Sequence, residues 1–168
     1  MTAVFGITGW KNSGKTTLTE RLVAEFARRG LRVATIKHAH HAFDIDQPGT
    51  DSFRHREAGA TETAIVSSRR WAIMHELRGE DEPGLPDILA RLSPCALVLV
   101  EGFKTASHPK IECRRLAAKD RAPLADLVPG IAAIASDHPV ESDLPHFALD
   151  DIAAIADFVA GRCALHAK

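Results

Sequence analysis

Residues Gly9-Trp10-Lys11-Asn12-Ser13-Gly14-Lys15-Thr16 read as glycine, four free positions, glycine, lysine and a hydroxyl residue, the pattern of a phosphate-binding P-loop. Few short motifs restrict a fold so severely. Gly9 and Gly14 let the backbone curl until several N–H groups face one point, where a triphosphate can sit. Lys15 supplies a point charge for the β- and γ-phosphates and Thr16 a hydroxyl for Mg²⁺. The helix that starts here turns its positive end toward the same anion. The flanks agree: an apolar run, Ala3-Val4-Phe5-Gly6-Ile7, precedes the loop, and Leu18, Leu22 and Phe26 follow at helical spacing. A Gly/Ser turn with an incidental lysine would not require strand, loop and helix in that order.

The spacing predicts a helix over 15–29, closed by Gly30, and a second strand over 31–36. Strand, helix and strand make a right-handed βαβ unit with parallel strands, so the fold class is α/β: a P-loop NTPase-like, mostly parallel sheet flanked by helices. At 168 residues, 45% hydrophobic and 26% charged, the chain is expected to form a single nucleotide-binding domain over 1–168. One excursion is expected within it. Glu62 to Ser67 and Trp71 to Leu77 are strand-like with a short connection, which predicts an antiparallel hairpin at about 62–77 whose apolar residues either pack on the sheet or form a dimer contact. A short helix is expected from Thr50 or Asp51 to Ala58, and another over 86–92.

Polar residues gather where strand ends should lie. Lys37-His38-Ala39-His40-His41 and Asp44-Ile45-Asp46 follow the second strand, at the carboxyl edge where open parallel sheets bind ligands. Lys37 offers a cation, Asp44 and Asp46 hard oxygen ligands for Mg²⁺, and His38, His40 and His41 a set that could take zinc or nickel; a solvated polar loop is the plainer reading. The run Ala96-Leu97-Val98-Leu99-Val100 lacks alternation, as a strand covered on both faces does, and ends in Glu101-Gly102-Phe103-Lys104. An acid at that place beside a P-loop holds Mg²⁺ or orients water, the Walker B arrangement. Residues 109–115 read as a strand with one exposed face, and 131–135 as a strand ending in Ser136-Asp137. Asp137 is either a reader of guanine N1–H and its 2-amino group or an ordinary strand-end acid, and no Asn-Lys-x-Asp signature decides between them. A last helix is expected over 150–159.

Lys plus Arg number 21 against 22 Asp plus Glu, so no basic excess points to nucleic acid or to an anionic membrane. Cys95, Cys113 and Cys163 form no CxxC pair. With no apolar run of membrane-spanning length and a first strand starting almost at Met1, a cytoplasmic protein is expected.

In combination, Lys11 to Leu18, Ile36-Lys37-His38 with His41, Phe43-Asp44-Ile45-Asp46, Pro48 to Ser52, Ala58-Gly59-Ala60, Arg70-Trp71 and Val100 to Lys104 resemble the molybdopterin-guanine dinucleotide biosynthesis protein B (MobB) family. The resemblance runs from the first strand to about Asp137. It implies a homodimeric GTP-binding adaptor, with weak Mg²⁺-dependent GTPase activity. The implied partner is the MobA-type guanylyltransferase that joins GMP to molybdopterin, with molybdopterin a candidate ligand. By position it implies that Gly9, Lys11, Asn12 and Ser13 to Thr17 hold the phosphates, that Lys37 and His38 line the pocket, and that Thr16, Glu101 and Asp46 lie at Mg²⁺. Lys15 and Glu101 are the implied catalytic pair. One departure stands out: dimeric P-loop proteins of the signalling and metallochaperone class often carry lysine directly after the first glycine, where this chain has Trp10 and places Lys11 next. No arginine finger or water-orienting glutamine can be assigned, so hydrolysis should be slow. A small-molecule kinase and a histidine-rich metallochaperone GTPase are the competing readings.

Overall fold

In the computed structural model, residues 2–39 and 43–165 are described. Their elements in chain order are β1 (Ala3–Thr8), α1 (Lys15–Arg28), β2 (Val33–Lys37), α2 (Asp51–Glu57), β3 (Glu62–Val66), β4 (Trp71–His75), α3 (Leu85–Arg91), β5 (Leu97–Glu101), β6 (Lys110–Arg114), β7 (Ile131–Ser136), β8 (His146–Ala148) and α4 (Ile152–Arg162). They fall into two units, Met1–His38 with Arg91–Lys168, and Ala39–Ala90.

The first unit is built on a six-stranded sheet in the order β2-β5-β1-β6-β7-β8, every neighbouring pair parallel. Strand alternation sends Phe5, Ile7, Leu97, Leu99, Ile111 and Ala133 to one face, where Leu18, Leu22 and Phe26 of α1 and Ile155, Ala156 and Val159 of α4 cover them. Each large apolar side chain buried there contributes about 1.5–3 kcal/mol. The four-residue spacing of Leu18, Leu22 and Phe26 is therefore a packing stripe, and α1 stops at Arg28 because Arg29 takes the cap position.

One sequence expectation needs correction. β6 has no exposed face: Lys110 and Glu112 are both fully buried. The Lys110 ammonium donates to the carbonyls of Ala106, His108 and Pro129, and Glu112 accepts from the Leu124 N–H at 3.1 Å and from Arg114 at 2.8 Å. Charged residues alternate in this strand because each has dedicated partners, the condition for burying charge, and not because one side meets water. β8, three residues long and too short to show a period, is a strand for which the sequence raised no expectation, and it adds a parallel edge beside β7.

The second unit holds α2, capped by the Thr50 hydroxyl accepting from the Phe53 N–H, and the expected antiparallel hairpin β3–β4, in which Val66 faces Trp71 and Ala64 faces Ile73. Thr63 and Met74 on one hairpin face are buried, whereas Val66, Trp71 and Ile73 on the other are 76%, 66% and 55% exposed. Arg56 ties this unit together, pairing with Asp44 at 2.8 Å and Glu76 at 2.9 Å and standing 3.5 Å from Asp46. Among the described residues no helix is long and apolar enough to cross a membrane.

Candidate nucleotide-binding site

Beyond Thr8, the last residue of β1, the backbone takes positive φ at Gly9 (147°), Asn12 (64°) and Gly14 (95°), with a Ser13 N–H to Trp10 carbonyl bond of 3.2 Å closing the turn. Left-handed residues spaced through so short a loop let backbone N–H groups turn toward one point, the geometry of an anion nest. A Cβ at Gly9 would run into the Ser13 hydroxyl and would stand 2.6 Å from the Cys113 carbonyl, so only glycine fits there. No side chain caps the first turn of α1 and no acid lies in it, which leaves its amides and its positive dipole end to an anion.

Lys15 begins α1, and its ammonium donates to the Trp10 carbonyl at 2.6 Å. Burial pulls its pKa below the ordinary lysine value, with the Glu101 carboxylate opposing that shift; a polyphosphate would act in the same direction as Glu101. Glu101 closes β5, which pairs with β1 on one side and β2 on the other. Its oxygens lie 3.3 and 3.4 Å from the Thr16 hydroxyl and 3.9 Å from Lys37 Nζ. A hydroxyl beside a carboxylate is a hard-oxygen pair that fits Mg²⁺. Gly102 is required next, since a Cβ there would stand 2.5 Å from His38 Cβ; this close approach brings the ends of β2 and β5 together, and the His38 ring stacks on Phe103 at 4.5 Å.

Beside Gly14 opens a cavity of about 800 Å³, lined by Thr17, Arg115, Asp137, His146 and Leu149 among others. Asp137 Oδ1 accepts from the Leu116 N–H and lies 2.9 Å from His138 Nδ1, while Oδ2 stands 3.7 Å from Arg115 Nε. The His138 ring holds this carboxyl below the usual aspartate range, so it is an acceptor at neutral pH. Glu101, Lys37, His38 and Asp137 thus share the first unit with the P-loop, whose Lys11 and Asn12 are exposed.

Asp46 belongs to the second unit, where its side chain is 6% exposed and its Oδ1 accepts from the Gln47 N–H and the Thr50 and Ser52 hydroxyls. His40 and His41, two of the three histidines considered for zinc or nickel, lie outside the described residues, among which no group of three or more His, Cys, Asp or Glu side chains is placed to hold a metal ion. Sequence reasoning missed Arg115 and His146 as cavity residues. Arg115 sits in an unpatterned charged stretch, and His146 in the short β8.

The family profile described as "Molybdopterin guanine dinucleotide synthesis protein B", MobB, matches residues 4–137. The chain belongs to the MobB family. A family relative, the molybdopterin-guanine dinucleotide biosynthesis adapter protein of Escherichia coli K12, is 38% identical over 161 residues, covering 95% of this chain and 92% of that protein. The adapter protein of the same name from Haemophilus influenzae is 40% identical over 159 residues, 93% and 86% of the two chains. Among solved MobB structures, that of Bacillus subtilis superposes with a TM-score of 0.75 at 26% identity over 98% of this chain and 99% of its own. A MobB homolog from Bacillus stearothermophilus gives 0.70 at 28% identity over 97% and 99%. The architecture is thus the P-loop NTPase-like α/β fold of the family, with its small antiparallel hairpin.

Proposed function

We propose that the chain is a GTP-binding adapter in molybdopterin guanine dinucleotide biosynthesis, serving the guanylyltransferase that joins GMP to molybdopterin. The observation that carries this reading is the uncapped cradle at Gly9 to Thr17 opening onto a cavity that ends in an ionised aspartate. In this reading the cradle amides and Lys15 hold the phosphates, Lys37 and His38 line the pocket, and Thr16 and Glu101 hold Mg²⁺, which supplies charge neutralisation at the β- and γ-phosphates. Lys15 and Glu101 are also the groups able to support slow hydrolysis. Asp46, committed to Thr50 and Ser52, orders its own loop.

Asp137 Oδ2 takes the guanine N1–H and 2-amino group. Hydrogen bonds to a charged acceptor contribute about 1.5–3 kcal/mol each, so Asp137→Asn should weaken GTP by about 10- to 100-fold and improve xanthosine triphosphate, whose 2-oxo group accepts from an amide. Isothermal titration of both nucleotides, with ATP alongside, reads this out. A wild-type protein that takes ATP as well as GTP, or an Asp137→Asn variant that keeps GTP over xanthosine triphosphate, sinks the guanine assignment.

The exposed hairpin face of Val66, Trp71 and Ile73 supports a homodimer, since apolar side chains this exposed on an ordered hairpin suit an interface better than water. Sedimentation velocity should show a dimer for the native chain and a monomer for the double variant Trp71→Glu, Ile73→Lys. A native monomer at about 50 μM, weak for a standard-sized interface, would argue against the pairing.

A further inference from the structure

Trp10 occupies the place where related P-loops put a lysine, and neither its ring nor its exposure is needed to hold a phosphate. Its backbone and its side chain face different tasks. The Trp10 carbonyl accepts from Lys15 Nζ at 2.6 Å and from the Ser13 N–H at 3.2 Å, both inside the cradle. The indole Nε1–H points the other way and donates to the Ala122 carbonyl at 2.8 Å, with Lys104 Nζ 5.0 Å from the ring centre.

Ala122 lies midway along residues 115–128, a segment without helix or strand that runs from the end of β6 toward β7. Its far side is pinned by buried Leu124, whose N–H donates to Glu112, and by buried Val128. Its near side furnishes the base cavity: the Leu116 N–H donates to Asp137 Oδ1 at 2.9 Å, Arg115 Nε stands 3.7 Å from Asp137 Oδ2, and the Arg115 side chain lies against Gly14. Among the described residues the indole hydrogen bond joins the cradle to the middle of the segment, while Arg115 meets the cradle separately at Gly14. The same residue therefore touches the phosphate-seeking lysine and the segment that orients the base-reading carboxylate.

We propose that Trp10 is a positioning residue for base selectivity, fixing Asp137 and Arg115 through residues 115–128 and making their placement respond to occupancy of the phosphate cradle. This rests on the GTP reading given above. When a triphosphate draws Lys15 away from the Trp10 carbonyl, the Trp10 peptide exchanges an internal cation for the anion's field, and the change reaches Ala122 through one rigid indole.

The test uses the full chain with Mg²⁺ and three probes: GTP, ATP and inorganic tripolyphosphate. Trp10→Phe keeps an aromatic ring under Lys104 while removing the N–H donor together with part of the indole's bulk. Loss of one hydrogen bond predicts a two- to tenfold fall, roughly, in GTP-over-ATP preference, with a loss of tripolyphosphate affinity no larger than about twofold, the coupling returned by linkage. Equal losses for GTP and tripolyphosphate would confine Trp10 to the cradle and overturn the proposal, as would an unchanged preference. A second measurement needs no variant. In the native protein tripolyphosphate alone should slow amide exchange of Leu116 by about twofold or more, because the base side of the segment tightens when only the phosphate side is filled. Unchanged exchange at Leu116 overturns the coupling. A native protein that binds tripolyphosphate but shows no GTP preference fails the functional reading itself, whereas a native GTP preference that survives Trp10→Phe fails this inference alone.

Discussion

Glu112→Ala is expected to remove about 3–5 kcal/mol of stability, a large fraction of what a domain of this size possesses. Glu112 is fully buried; one oxygen accepts from the Leu124 N–H at 3.1 Å and the other from Arg114 at 2.8 Å, whose own side chain is 10% exposed. Truncation strands a guanidinium and a backbone donor away from water at once, which costs far more than the pair itself contributes. Glu112→Gln keeps an oxygen for Leu124 and should lose clearly less. Urea unfolding of the three proteins checks this through the midpoint at constant slope. A loss under about 1 kcal/mol for the alanine variant would mean that water reaches Arg114 and that the strand is less enclosed than its contacts indicate.

Lys15→Ala is expected to abolish nucleotide-dependent stabilisation while barely moving the melting temperature of the free protein. Free, the half-buried ammonium makes one hydrogen bond, to the Trp10 carbonyl, and burial already disfavours its charge, so little is lost with it. In the proposed complex it is the cation for the β- and γ-phosphates, and charge-assisted contacts of that kind are about twice as strong as neutral ones. At one hundred times the dissociation constant GTP should add about 2.7 kcal/mol to the native protein. The variant should show no shift at the same concentration. Retained stabilisation would place the phosphates somewhere other than the P-loop.

Much of the first unit was legible because its signals are local. Gly9 to Thr16 with its apolar flanks located β1 and α1 to within a residue, and the unalternating run before Glu101 located β5, since a motif and a buried strand each announce themselves within a few positions. The hairpin was readable for the same reason. What was not legible depended on distant partners. Lys110 and Glu112 look solvent-facing until the carbonyls of Ala106 and Pro129 and the N–H of Leu124 are brought to them. Arg115 lines the cavity beside Gly14 because residues 115–128 return to Trp10 at Ala122, and β8 is too short for any period to register. Asp46 is a local case: its Oδ1 accepts from the hydroxyls of Thr50 and Ser52, while among the described residues its buried Oδ2 has no hydrogen-bond partner.

The strand order also has a meaning in time. β1 is paired on both sides by strands that begin at Leu97 and Lys110, and the ladder partner of β2 is the strand at Leu97 as well. As the chain leaves the ribosome, the glycine loop emerges first yet has no sheet to stand on. The residues made next, Ala39–Ala90, form contacts among themselves, so their short-range pairing can finish early. The earliest-made part of the glycine loop's support is therefore among the last to be completed, since β1 has no ladder partner until the strand at Leu97 has been made.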